Sequence, residues 1–343
     1  MPVQNTPCEW PVPSAFMAAS LAAKRAANDD AKSRLLRQYA ISPAVKTRWT
    51  KRSPYRAIAS PMRSISVASS PVPIMVIVSS PSYTSLPRAS DGFEWTTESW
   101  GAALRCVPLA VHAPHLFTTR QLELSSPPNV RALAESIGAH AVAMVHQVHG
   151  REIVVVRKGS PIPDHRPQAD ALISDAPDVA IAVRAADCVP LLMADRARGV
   201  VAAVHAGWRG TAARVAVAAV DALAREFGTR PTDLVVAIGP SIGACCYEVK
   251  TDLVDAFAAA GHERYLIDRW FLSPPPARGS MTRAPLTLDV PRANIDQLVL
   301  TGVPEDQIHS SELCTAMHLD VLTSYRKEKE KAGRIAGAIR APA

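Results

Sequence analysis

The sequence predicts an α/β (α+β) domain built on mixed β-sheet. Three observations lead there. Apolar runs of strand length crowd the middle of the chain, and helical patterns follow them irregularly rather than in the strict alternation of a Rossmann unit. A change of texture at Phe93 places this domain in residues 91–343 and leaves residues 1–90 as an extension.

The extension carries 12 Lys and Arg against 3 Asp and Glu, and 11 of the 29 prolines. Apart from one helix-compatible stretch over 14–38 it has little periodicity, so it is expected to be disordered: it buries too little apolar surface to offset its ordering entropy. Its Arg- and Ser-rich, acid-poor makeup is also that of an organelle transit peptide, and a start assigned upstream of the true one would read the same way. The remaining residues hold 26 basic against 28 acidic side chains. The basic charge therefore belongs to the extension, and no nucleic-acid partner is expected for the folded part. Six cysteines without an even framework point to a reducing compartment, the cytoplasm, with thiols free for metal or catalysis. No apolar run approaches the ~20 residues that span a bilayer, so no membrane partner is expected.

Along the domain, residues 107–112 read as a strand, 130–137 as a helix and 141–148 as a strand. Further strands are expected over 152–157, 171–174, 179–183, 191–195 and 199–205. The clearest helix covers 211–227, with Thr211 placed to cap its start and Gly228 to end it. A strand over 234–238 runs into Gly239-Pro240-Ser241-Ile242-Gly243, either a backbone nest for an anion or a tight turn. Helices over 250–260, 290–301 and 316–329 and a closing strand over 335–339 complete the reading.

The chemistry concentrates in Gln147-Val148-His149-Gly150, Ala186-Asp187-Cys188 and Val204-His205-Ala206-Gly207-Trp208-Arg209-Gly210. His149, Cys188 and His205 each end or border an apolar run. Two imidazoles and a thiol suit zinc, and three protein ligands leave a fourth position for water or substrate. His146 and His149, three apart on a strand, point to opposite faces, so one of them reaches the site. His149 is chosen because the following Gly150 allows a sharp turn. Arg209, between the turn and the helix start, reads either as part of an anion site or as a surface arginine. Adjacent Cys245 and Cys246 are poorly placed to hold one ion together, one reading as core and the other as a pocket residue. Asp170, Glu248, Arg326 and Arg334 are further polar candidates.

With Ala169-Asp170-Ala171-Leu172, the Cys-Cys-Tyr-Glu of residues 245–248, Cys314-Thr315, Ser324-Tyr325-Arg326 and Gly333-Arg334, these motifs resemble the laccase-domain family, formerly called multicopper polyphenol oxidases. The resemblance covers about residues 93–343. It implies a fold of layered mixed β-sheets flanked by helices, related to the catalytic domain of cytotoxic necrotizing factors. It implies zinc on His149, Cys188 and His205, with Cys188, His205, Arg209 and Arg120 as catalytic residues. It also implies purine nucleoside phosphorylase activity, in which phosphate splits inosine, adenosine and methylthioadenosine to free base and pentose 1-phosphate, with adenosine deamination alongside. Purine nucleosides and phosphate are thus the expected partners. One departure stands out: after Thr119-Arg120 the family's Gly-rich stretch is replaced by Gln121-Leu122-Glu123-Leu124.

Three rivals follow from the same residues. A copper-dependent phenol oxidase needs many imidazoles in His-x-His pairs, and none of the ten histidines is so paired. A cysteine hydrolase would use Cys188 as nucleophile and His205 as base. An interaction protein would work through the basic extension.

Overall fold

Which face each strand turns inward follows from the alternation within its apolar run, and two sheets result. The computed structural model describes residues 86–162, 165–273 and 285–343. Most of the expected extension, residues 1–85, lies outside the described residues.

In chain order, β1 (Phe93–Glu98) and β2 (Gly101–Cys106) lead into α1 (Val107–Ala110) and β3 (His115–Thr118). Helix α2 (Pro127–Ser136) precedes β4 (Ala141–Met144), β5 (Ile153–Val156), β6 (Ala171–Ser174), β7 (Val179–Ala185), β8 (Val189–Asp195) and β9 (Val201–Ala206). Helices α3 (Trp208–Ala212) and α4 (Val215–Phe227) then lead to β10 (Leu234–Ile238), α5 (Thr251–Ala259) and α6 (Arg264–Trp270). The two-stranded pair β11 (Phe271–Leu272) and β12 (Thr287–Leu288), α7 (Val290–Thr301), β13 (Ile308–Ser310), α8 (Tyr325–Glu328) and β14 (Ile335–Ile339) follow.

One six-stranded sheet has the order β1-β2-β3-β14-β7-β4, the other β13-β10-β8-β9-β6-β5. Both are mixed, with parallel pairs β4/β7, β10/β13 and β5/β6 among antiparallel ones. On β7, Ile181 and Val183 face the second sheet while Ala180 and Ala182 face α2. On β9, Val201 and Ala203 join that inter-sheet core, whereas Ala202 and Val204 pack with residues of α4 and α7. The order of layers is helix, sheet, sheet, helices, the layered mixed-sheet class that the family resemblance implies. Each fully buried Leu, Ile or Phe, such as Leu172, Ile181 and Phe117, contributes roughly 1.5–3 kcal/mol to holding the layers together. A Cβ on Gly239 would lie 2.3 Å from the Phe117 ring. Close packing of that ring therefore requires glycine there, which accounts for Gly239 as a packing residue rather than part of an anion nest.

Strands β6 and β10, helix α7 and strand β14 coincide with the expected spans. Other elements differ. Residues expected as a strand over 107–112 form α1, with a proline in its first turn. The helix expected over 211–227 begins earlier, at Trp208 behind Gly207, and breaks at Arg214, where φ is 60° and the guanidinium binds the carbonyls of Ala260 and Gly261 at the end of α5. Thr211 is no cap: its hydroxyl is buried and accepts from Asn294 Nδ2. The expected helix over 316–329 shrinks to α8, because Val321 and Leu322 turn into the inter-sheet core.

A buried histidine ties the first sheet. His115 accepts from the Cys106 amide at Nε2 (3.0 Å) and lies 2.9 Å from the Ala113 carbonyl at Nδ1, which fixes the neutral tautomer with hydrogen on Nδ1. Burial brings its pKa from 6.5 to about 4, the Ala113 carbonyl opposing and Arg105 adding to the drop. Between these values the unfolded chain binds a proton that the folded chain refuses. Stability is thus full above about pH 6.5 and declines as pH falls toward 4, by roughly 3 kcal/mol from this group. Urea unfolding at pH 7.5 and 4.5 is expected to show this loss, and His115→Gln to show a smaller difference between the two pH values. An equal difference in the variant would rule His115 out as its source.

Candidate metal centre

Strand β9 runs antiparallel to both β6 and β8, so its end meets their beginnings at one edge of the second sheet. His205, one residue before the end of β9, lies on the face shared with Val201 and Ala203. Cys188 immediately precedes β8, and Asp170 immediately precedes β6. Because β5 lies parallel to β6, the turn at residues 147–150 reaches the same edge.

Asp170 is fully buried and holds this corner. Its carboxylate accepts the backbone N–H of Val148 (3.2 Å), His149 (3.0 Å) and Gly150 (2.6 Å), and His205 Nδ1 lies 2.8 Å from its Oδ1. Burial opposes ionisation, but His205 and the backbone donors outweigh it and lower the Asp170 pKa. An ionised carboxylate only accepts, so Nδ1 of His205 carries the hydrogen and Nε2 is the nitrogen left for a ligand. The three amides draw His149 into a left-handed backbone (φ 61°). The sharp turn therefore falls on His149 itself rather than on Gly150.

One donor atom from each of His149, Cys188 and His205 lies within 4.8 Å of the other two, and Cys188 Sγ is 3.9 Å from His149 Nε2. Burial raises the Cys188 pKa, but hydrogen bonds and charge from His149 and His205 prevail and bring it down to about 6. His205, which burial alone would lower, rises to about 9 through Asp170 and Cys188. A thiolate ready at neutral pH, an imidazole of fixed tautomer and a second imidazole beside them make a donor set that fits zinc. Gly207 leaves room for it, since a Cβ there would lie 2.8 Å from Cys188 Sγ. Asp187 orients the thiol. At φ 86° it accepts from Thr315 Oγ1 and from the Arg326 amide, both at 2.6 Å, which fastens the residue before Cys188 to the C-terminal segment.

The centre forms part of the wall of a cleft of about 920 Å³, within the range of small-molecule sites. Arg184, Arg209, Arg326, Lys329 and Arg334 line it against Glu123 and Asp187, so it favours an anion. Burial, then the charges of Arg166 and Arg334, lower the Arg184 pKa. Trp208, Tyr247 and Tyr325 add aromatic wall, the Arg326 guanidinium standing 4.9 Å from the Tyr247 ring centre.

Of the sequence-predicted residues, His149, Cys188, His205 and Arg209 come together in this cleft, with Arg326 and Arg334 also lining it; His146, expected to point to the opposite face, lines it as well. Arg120 does not line it. Its guanidinium pairs with Glu328 (3.0 Å) and donates to the Leu319 carbonyl. Nor do Cys245, Cys246 and Glu248 line it. Sequence reasoning left Asp170 among many polar candidates and passed over Arg184, Tyr247 and Lys329. A charged residue heading the wholly buried run of β6 was the available signal for Asp170.

Asp170→Asn keeps the size but loses the charge that orients His205. It is expected to weaken zinc binding about 10–100-fold in a chelator competition assay. Unchanged affinity would show that the carboxylate is not what prepares the ligand.

A family model described as "Multi-copper polyphenol oxidoreductase laccase" matches residues 120–342. A protein of Bacteroides thetaiotaomicron named purine nucleoside phosphorylase is 36% identical over 170 residues, half of this chain and 60% of that protein. One of the same name from Synechocystis is 31% identical over 266 residues, 74% of this chain and 99% of that protein. A prokaryotic protein named adenosine deaminase RL5 is 34% identical over 165 residues, 48% of this chain and 59% of that protein. Among solved structures, the hypothetical protein YfiH of Bacillus licheniformis superposes with a TM-score of 0.61 at 28% identity, covering 70% of this chain and 96% of that one. By the family match over most of its length, and by the Synechocystis relative, 99% of which is covered, this chain belongs to the multi-copper polyphenol oxidoreductase laccase family.

Proposed function

We propose that this chain is a zinc-dependent purine nucleoside phosphorylase that cleaves inosine, adenosine and methylthioadenosine with phosphate, and that adenosine deamination is a second activity of the same centre. The observation that carries the reading is the His149, Cys188 and His205 donor set opening onto a cationic, aromatic-walled cleft. The names of the relatives, phosphorylases and one deaminase, support it.

Phosphorolysis breaks the bond from C1′ to the purine nitrogen and forms one from C1′ to a phosphate oxygen. Positive charge builds on the ribose, and the base leaves with the bonding electrons and needs a proton or hydrogen bond. Arg209 binds and orients the phosphate, with Arg326 and Arg334 lining the same cleft. Trp208, Tyr247 and Tyr325 offer faces on which a purine stacks, which also keeps water from the reacting carbon. His149, Cys188 and His205 hold the zinc, which when bound supplies Lewis acidity at the cleft wall. Arg120 acts at one remove. Through Glu328, whose other oxygen accepts from Thr323 Oγ1 and the Ser324 amide, it fixes α8 and hence Tyr325 and Arg326.

A cysteine hydrolase is the second reading, favoured by the Cys188 thiolate beside a protonated His205. Copper oxidation is the third and weakest, since among the described residues two histidines, not many, come together at the centre.

Purified protein incubated with inosine or adenosine is expected to release free base only when phosphate is present, and Cys188→Ala to abolish the release. Base release without phosphate, or none from zinc-loaded folded protein, would overturn the phosphorylase reading, the second result favouring the hydrolase. Arg209→Ala is expected to raise the KM for phosphate about 10–100-fold, the loss of one charge-assisted contact. A KM within twofold of the parent would remove Arg209 from the phosphate site.

A further inference from the structure

We propose that Cys245, Cys246 and Cys314 form a second metal site, apart from the His149, Cys188 and His205 centre, and that it takes a cuprous ion. The three sulfurs lie within 4.8 Å of one another, with Cys245 Sγ 3.7 Å from Cys246 Sγ. Sulfurs bound tetrahedrally at about 2.3 Å stand roughly 3.8 Å apart. The two adjacent cysteines, which the sequence alone makes poor partners, thus present their sulfurs at coordination spacing to a third residue far along the chain.

The backbone holds the three in place. Ser241 and Cys314 form a parallel bridge, with the Ser241 amide donating to the Leu313 carbonyl (3.1 Å) and the Thr315 amide to the Ser241 carbonyl (3.0 Å). The amides of Cys246 and Tyr247 both donate to the Gly243 carbonyl, which folds residues 243–247 back over Cys314. The Gly243 amide donates to Cys314 Sγ at 3.3 Å, the kind of bond that supports a thiolate ligand. Exposure grades across the trio from Cys245 at the surface to buried Cys314, so an ion has a route in.

The donor set, three sulfurs with no imidazole or carboxylate, selects a soft ion. Among the described residues no fourth His, Cys, Asp or Glu donor joins the three. Structural zinc is almost always four-coordinate, whereas soft thiolates also select Cu(I). Three sulfurs without a fourth ligand suit a trigonal cuprous ion. Binding forms three copper–sulfur bonds and releases the thiol protons, with no change of oxidation state. Burial, then Cys314 and Cys246, push the Cys245 thiol up to about 12. The site borders the cleft, since Ile242 and Tyr247 both line that cleft and pack in the small apolar cluster containing Cys314.

The test uses the full chain, reduced and free of oxygen, with cuprous ion buffered by a competing chelator, and Cys188→Ala as the parent so that the first centre does not contribute. The parent is expected to bind one equivalent of copper with three sulfur scatterers in X-ray absorption. Cys245→Ser, at an exposed position that spares the core, is expected to weaken binding at least about tenfold with an unchanged circular dichroism spectrum. Equal copper affinity with and without Cys245→Ser would overturn the proposal. So would fewer than three sulfurs around the ion, or a disulfide among these cysteines that persists under the reducing conditions. Zinc bound in place of copper, in a manner sensitive to Cys245→Ser, would overturn the cuprous assignment.

Discussion

One carboxylate, that of Asp170, organises the site. Fully buried, it gathers three consecutive amides of the 148–150 turn and the Nδ1 hydrogen of His205, so every strong acceptor position on it is matched to a donor. A buried charge without such partners would cost several kcal/mol, whereas here the same burial makes the interaction stiff and directional. Two candidate ligands are set by this one group. His205 has its tautomer fixed, and His149 is held in a backbone conformation that a histidine rarely adopts. Cys188 is set from the other side by Asp187, whose strained backbone is tied to Thr315 and Arg326. Strain at both ligand turns, compensated by charged hydrogen bonds, is a mark of a site kept for function rather than for stability.

The layered sheets explain why these residues meet. Antiparallel pairing places the end of β9 beside the beginnings of β6 and β8, so ligands 17 to 56 residues apart in sequence converge without a long loop. The apolar inter-sheet core backs the site with rigid packing. Helix α8 also lines the cleft, and its Arg326 amide ties it to Asp187 and so to Cys188, which couples the substrate-facing wall to the ligands.

Much of this was legible in the sequence, and for identifiable reasons. Strongly apolar or well-punctuated spans such as β6, β10, α7 and β14 announce themselves by period and by flanking Gly, Pro or Asp. The candidate metal ligands stood out in the sequence because each borders such a run. Strands β1 to β3 were not, since their mixed residues, FEWTTE among them, gain their conformation from pairing rather than from local pattern. The break at Arg214 was hidden because it depends on carbonyls of α5 some 46 residues away. Residues 316–329 have helical spacing, but long-range hydrogen bonds to Asp187 and packing of Val321 and Leu322 override it. Arg120, carried over by resemblance, is turned away from the cleft by a partner, Glu328, that no local signal connects to it. The meeting of Cys245, Cys246 and Cys314 is of the same kind: a parallel bridge between distant segments brings it about.

The position of β14 governs how the chain can be assembled. Although it is the last strand along the sequence, it lies inside the first sheet, antiparallel to both β3 and β7. Until it docks, the two halves of that sheet face each other as open edges, and the inter-sheet core lacks Ile335 and Ile339. Because synthesis runs from the N-terminus, a ribosome must release nearly the whole domain before the sheet can close. Closure of this sheet therefore rests on long-range pairing, and until β14 docks the edges of β3 and β7 are left unpaired.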